Sequence, residues 1–160
     1  MSQDLLNFLL PVHNVLRWVI LILLVLALVN AASRMNTNHP FTKGQRSIGL
    51  FLMIATHINF LIGLFQWFVS AWGLNLIRNN GFGVVMKDDA QRFWAVEHFV
   101  SMLIAVVLIT LANRVSKKSY IDRIKHKRIF WLLLAALIIL LFAIPWPFRE
   151  EIGRPWMRGF

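Results

Sequence analysis

Cysteine is absent from the 160 residues. That excludes disulfides, thiolate metal sites, iron–sulfur clusters and covalent c-type haem attachment, so any cofactor has to rely on histidine, methionine, carboxylate or backbone. Acids are scarce as well, seven Asp and Glu against 17 Lys and Arg. No low-complexity tract, Pro-rich linker or internal repeat interrupts the chain, which argues against solenoids and linker-joined domains. Hydrolase triads, kinase loops, zinc-protease helices and Rossmann fingerprints are also missing. The turn-forming Arg78-Asn79-Asn80-Gly81-Phe82-Gly83 is too short for a phosphate loop. Nothing marks a self-sufficient enzyme.

Apolar residues make up 58% of the chain and its mean hydropathy is +0.63, well above an ordinary soluble domain. They gather in runs at about 15–32, 48–72, 93–112 and 129–148, each near the roughly 20 residues that cross a hydrocarbon core. The expected fold is an all-α membrane protein, a four-transmembrane-helix bundle forming one domain over residues 1–160, with the lipid bilayer as its solvent. The fourth run stops at Pro145-Trp146-Pro147, where proline ends a helix. The first reads as a retained span and not a cleaved signal peptide, because residues 1–10 hold Asp4 and no Lys or Arg.

The net charge of +10 does not form a soluble basic face of the nucleic-acid-binding kind, because the charges alternate with the apolar runs. They read as topology signals. One membrane face collects ten basic residues, Arg34, Lys43 and Arg46 in one connection and Arg114, Lys117, Lys118, Arg123, Lys125, Lys127 and Arg128 in another, against Asp122 alone. The opposite face holds seven, dispersed among six acids. The positive-inside rule then gives an N-out/C-out orientation, expected in the cytoplasmic (inner) membrane of a bacterium.

Ionisable side chains inside a span are costly, so they tend to face the bundle interior and to have partners. His13 and Arg17, four residues apart, share one face of the first helix near its outer end, and Glu97 and His98 lie at a similar depth on the third. On the second helix Asn59, Gly63, Gln66 and Ser70 follow a 4, 3, 4 spacing that defines an inward stripe. His57 points about 160° away from Asn59 and lies deeper, roughly 22 Å from Trp72. Histidines on facing helices suit b-type haem, with His13, His57 and His98 as candidate iron ligands and Arg17 and Arg92 as partners for propionates. A metal site from His13, Glu97 and His98 is awkward, because adjacent residues diverge by about 100° on a helix. His39 and His126 fall in the basic connections and are expected in solvent. Trp67, Trp72, Trp94, Trp146 and Trp156 suit an outer aromatic belt, and the segment 78–83 could lie over the His13 level as a lid.

Taken together, His13-Asn14-x-x-Arg17-Trp18, Phe41-Thr42, Thr56-His57, Arg92-Phe93 with Glu97-His98, and Ile144-Pro145-Trp146-Pro147-Phe148-Arg149 resemble a group of small bacterial four-helix proteins commonly labelled cytochrome b. The resemblance covers nearly the whole chain. It implies a haem-binding electron-transfer protein, with ligand roles falling on His13, His57 and His98. Unlike respiratory cytochrome b, the sequence lacks paired histidines repeated along two helices, so at most one haem is expected.

The expected function is therefore that of a membrane b-type haem protein or electron-transfer subunit, exchanging electrons with a quinone or a redox partner protein. The opposing reading is a noncatalytic structural or assembly subunit without cofactor, whose polar residues hold helices together.

Overall fold

The computed structural model describes residues 2–157 and, among them, helices and connections with no strand. In chain order the helices are α1 (Ser2–Ala32), α2 (Lys43–Val69), α3 (Leu74–Asn80), α4 (Phe82–Val85), α5 (Asp89–Arg92), a π-helical turn (Phe93–Glu97), α6 (His98–Lys117) and α7 (Asp122–Ala143). Four helical stretches, built on α1, α2, α6 and α7, are long and apolar enough to cross a membrane. Their outward faces stay apolar: Phe51, Leu61 and Phe142 are 62%, 62% and 78% exposed. A soluble bundle would carry charge there.

α1 packs against α2 and α7, and α6 packs against the same two, so α1 and α6 stand diagonally across the bundle. Leu24, Leu52, Ile109, Leu133 and Ala136 form the core with Ile20, Ala105, Ala112, Ile129 and Leu140. Alanines at the α6–α7 contact let the two backbones approach closely.

The helix ends follow local chemistry. α2 starts with a capping box, in which the Thr42 hydroxyl accepts from the Gln45 backbone N–H at 3.3 Å and the Gln45 carboxamide accepts from the Thr42 N–H at 3.0 Å. α7 stops at Ala143, five residues short of the apolar run, because Ile144 is extended, as a residue ahead of proline prefers. α1 begins far ahead of residue 15 and runs straight through Pro11. The segment between α2 and the third span, expected as a turn-rich loop, folds into α3, α4 and α5, with Gly81 at φ 80° making the break between α3 and α4.

At the basic end, His126 is fully buried and not in solvent. The chain before α2 folds over it. The His39 carbonyl lies 3.3 Å from its Nε2 and the Phe41 ring 5.3 Å from its own. His39 itself is exposed. A void of about 30 Å³ adjoins His126 and Asn113.

Candidate functional site

The end of α7 sets one wall of the site. In a continuing helix the carbonyls of Leu141 and Ala143 would accept from residues 145 and 147, but both are prolines without an N–H. Side chains fill these positions. Trp146 Nε1 donates to Leu141 O at 2.7 Å, Arg149 Nη1 to Phe142 O at 2.7 Å, and His98 Nδ1 to Ala143 O at 2.8 Å. A carbonyl can only accept, so Nδ1 of His98 carries the hydrogen and Nε2 of the neutral ring keeps its lone pair.

His98 follows directly on the π-helical turn and closes it, its N–H donating to the Phe93 carbonyl five residues back. The wider turn inserts one residue into the register and so helps set which way His98 faces; such turns recur at functional sites. It also places the Ala95 carbonyl within 2.9 Å of Trp67 Nε1, which donates to it.

His98 shares a cavity of about 270 Å³ with His13, on the diagonal helix α1. The α1 wall repeats at helical spacing through Leu6, Leu10, His13, Arg17 and Leu21. Across from it the whole stripe Asn59, Gly63, Gln66 and Ser70 lines the cavity. Gly63 makes room for His13: a Cβ there would lie 3.0 Å from the His13 Cε1 atom. Phe60, Phe99 and Trp67 form an aromatic wall, with Phe99 stacked at 6.1 Å on Phe60 and at 4.8 Å on Trp67.

His13 Nδ1, Asn14 Oδ1, Arg17 Nε, Asn59 Oδ1 and Gln66 Nε2 are buried atoms without a hydrogen-bond partner, and every one belongs to a residue on this cavity. Each such atom costs about 1–3 kcal/mol if left unsatisfied. Folded proteins seldom leave so many in one place unless water or a ligand meets them.

The C-terminal segment covers the cavity. The Trp156 carbonyl gathers donors from Arg17 at 2.7 Å, Trp18 at 3.3 Å and Asn14 at 3.4 Å. The rings of Trp18, Trp146 and Trp156 cluster at 5.6–6.2 Å. Arg154 lies over Trp94 at 4.8 Å and Trp72 at 5.7 Å, and lines the cavity with Pro145 and Pro155. Cover comes from here and from Trp72 and Gly73; residues 78–83 do not line the cavity.

Of the residues singled out from sequence, His13, His98 and Arg17 come together and two do not. His57 does not line the cavity. Its Nδ1 bonds the Met53 carbonyl one turn back at 2.8 Å and its Nε2 lies 3.5 Å from Thr110 Oγ1, because Asn59 and its stripe occupy the face toward the cavity. Arg92 is held by Asp89 at 2.7 Å, Glu97 at 2.6 Å and the Met86 carbonyl at 3.2 Å, away from the cavity. Glu97 therefore pairs with Arg92 and not with Arg17. Among the described residues no cluster of three His, Asp or Glu side chains is placed to hold a metal ion.

The donor set suits a porphyrin in kind: two imidazoles on facing helices, flat aromatic walls and a guanidinium. At about 270 Å³ the cavity falls just below the roughly 300–1,000 Å³ usual for small-molecule sites. A macrocycle between His13 and His98 would require wall side chains to move aside, and Met102 on that wall is flexible and unbranched. No protein-family model matches the chain, and neither does any curated protein or solved structure.

Proposed function

We propose that the protein is an integral membrane haem b protein that carries electrons, in which His13 and His98 would hold the iron. The observation that carries this reading is that imidazoles from two diagonal helices meet one cavity, and that His98 is held through Nδ1 by the Ala143 carbonyl. A neutral imidazole oriented in this way offers its other nitrogen to a metal. The haem would supply the one-electron chemistry. The chain contributes ligation, an apolar enclosure and the Arg17 cation. His57 and Arg92, expected as a third ligand candidate and a propionate partner, have no part in this reading.

The charge distribution supports an N-out/C-out chain in the cytoplasmic membrane of a bacterium, with the cavity on the outer side. Electrons would then exchange on that side with a quinone or a redox partner protein. The resemblance to the small four-helix proteins labelled cytochrome b points the same way. A second reading is favoured by Asn59 Oδ1 and Gln66 Nε2, an acceptor and a donor that suit the oxygens of a quinol or quinone bound in the cavity itself.

The test is a reduced-minus-oxidised optical spectrum of protein purified in mild detergent after haem-supplemented expression. A b-type signal is expected in the parent and in His57→Ala, and is expected to vanish in His13→Ala and His98→Ala. Folded but colourless parent protein would sink the haem reading and leave the quinone one. A signal that depends on His57 would show the ligand pair to be wrong.

A further inference from the structure

Arg17 is a cation set within a candidate span, where a charge is costly unless it is paired. The ion pairs among the described residues join Arg92 to Asp89 and Glu97, and Lys125 to Asp122; none includes Arg17. One guanidinium nitrogen is committed to the Trp156 carbonyl, and the group lies 5.2 Å from the Trp18 ring centroid and 6.0 Å from that of Trp146. These contacts hold and orient the group without neutralising it. Its Nε is buried and unpartnered, on a residue of the cavity wall.

Further along the cavity the lining turns apolar, through Leu21, Leu64, Val106 and Leu140. A cation fixed in the wall of a largely apolar chamber selects an amphipathic molecule with its anionic group beside that cation. The planar fork of a guanidinium matches a carboxylate in particular. We infer that Arg17 anchors the carboxylate of an apolar ligand in this cavity. The inference deepens the haem reading and rests on it for one of two sources, the porphyrin propionate; the other is the headgroup of a free fatty acid.

The test titrates the purified full chain in detergent with protohaem, protohaem dimethyl ester and palmitate, following the porphyrins by absorbance and palmitate by calorimetry. The parent protein, Arg17→Lys and Arg17→Gln are compared. Losing a charge-assisted hydrogen-bond pair is expected to weaken binding at least about tenfold. Protohaem should thus bind about tenfold or more tightly than its ester. Arg17→Gln should lose the same factor, and Arg17→Lys should fall between, since an ammonium keeps the charge without the fork. The ester comparison uses unmodified protein, so it shows whether a carboxylate is read even if Arg17→Gln fails to fold, and Arg17→Lys then assigns the effect to Arg17 and not to Arg154 on the same cavity. Equal affinity for protohaem and its ester, with no palmitate binding, would overturn the carboxylate anchor and leave the haem reading standing. Palmitate binding that needs Arg17, with no porphyrin bound, would uphold the anchor and remove the haem reading. If none of the three binds, both fall.

Discussion

His98 donates its Nδ1 hydrogen to the carbonyl of Ala143, the last residue of α7, so a side chain on α6 completes a helix end that proline leaves open. The bond ties two helices together and orients the ring with one group. His57, in contrast, bonds a carbonyl of its own helix.

Removing the two rings should therefore have unequal costs. In cofactor-free protein, His98→Ala is expected to lower stability by about 1–3 kcal/mol, because it leaves a carbonyl unsatisfied in an apolar setting. His57→Ala should cost less, since its backbone partner keeps its place in the α2 ladder. Thermal unfolding in detergent compares them; a larger loss for His57→Ala would contradict this assignment.

Gly63 separates ligand binding from folding. A methyl group there would sit 3.0 Å from the His13 ring, while alanine in a helix interior gains up to about 1 kcal/mol over glycine. Gly63→Ala is expected to keep or raise the melting temperature while weakening haem binding, and Gly63→Val should abolish the spectrum in a protein that still folds. An unaltered spectrum in Gly63→Val would place His13 outside the site.

Two other glycines make a paired test of the backbone. A Cβ on Gly73 would fall 2.0 Å from the Trp67 carbonyl oxygen, whereas one on Gly49 meets nothing within 4 Å. Gly73→Ala should destabilise the chain by about 2 kcal/mol or more, and Gly49→Ala, inside α2, should stabilise it by up to about 1 kcal/mol. Melting curves of the two variants should move in opposite directions.

The absence of cysteine gives a clean test of orientation, since any thiol introduced is the only one. Asn79 and Ser119 are exposed at opposite ends of the bundle. With the termini outside, Asn79→Cys should react with a membrane-impermeant maleimide in cells whose cytoplasmic membrane is intact, and Ser119→Cys only after lysis. The reverse pattern would invert the proposed topology.

The parts of the site legible in the sequence were those governed by helical period. Asn59, Gly63, Gln66 and Ser70 share a face because 3.6 residues make a turn, and the same geometry turned His57 away from them. What escaped depended on backbone hydrogen bonds between distant segments. The π-helical turn before His98 has no compositional mark, and the path that brings the Trp156 carbonyl onto α1 and Arg154 onto Trp72 and Trp94 is set by tertiary packing. Arg92 was misplaced because Asp89 and Glu97, close in sequence, satisfy it locally. His126 was expected in solvent from its charged neighbours, but Phe41 and the His39 carbonyl cover it. One signal was available: Pro145 and Pro147 deprive two carbonyls of donors, which announced that side chains would have to reach the end of α7.

The buried core through Leu24, Ile109, Ala112, Ile129 and Leu133 lies toward the basic end of the bundle, while the other half surrounds the larger cavity. With nothing bound, that half would be the first to open, exposing the C-terminal segment around Trp156 to membrane-bound proteases. A molecule that fills it stabilises the folded chain by mass action. The abundance of this protein in a cell would thus track the supply of what it binds, and pulse-chase half-lives under ligand starvation would read occupancy without a spectrum.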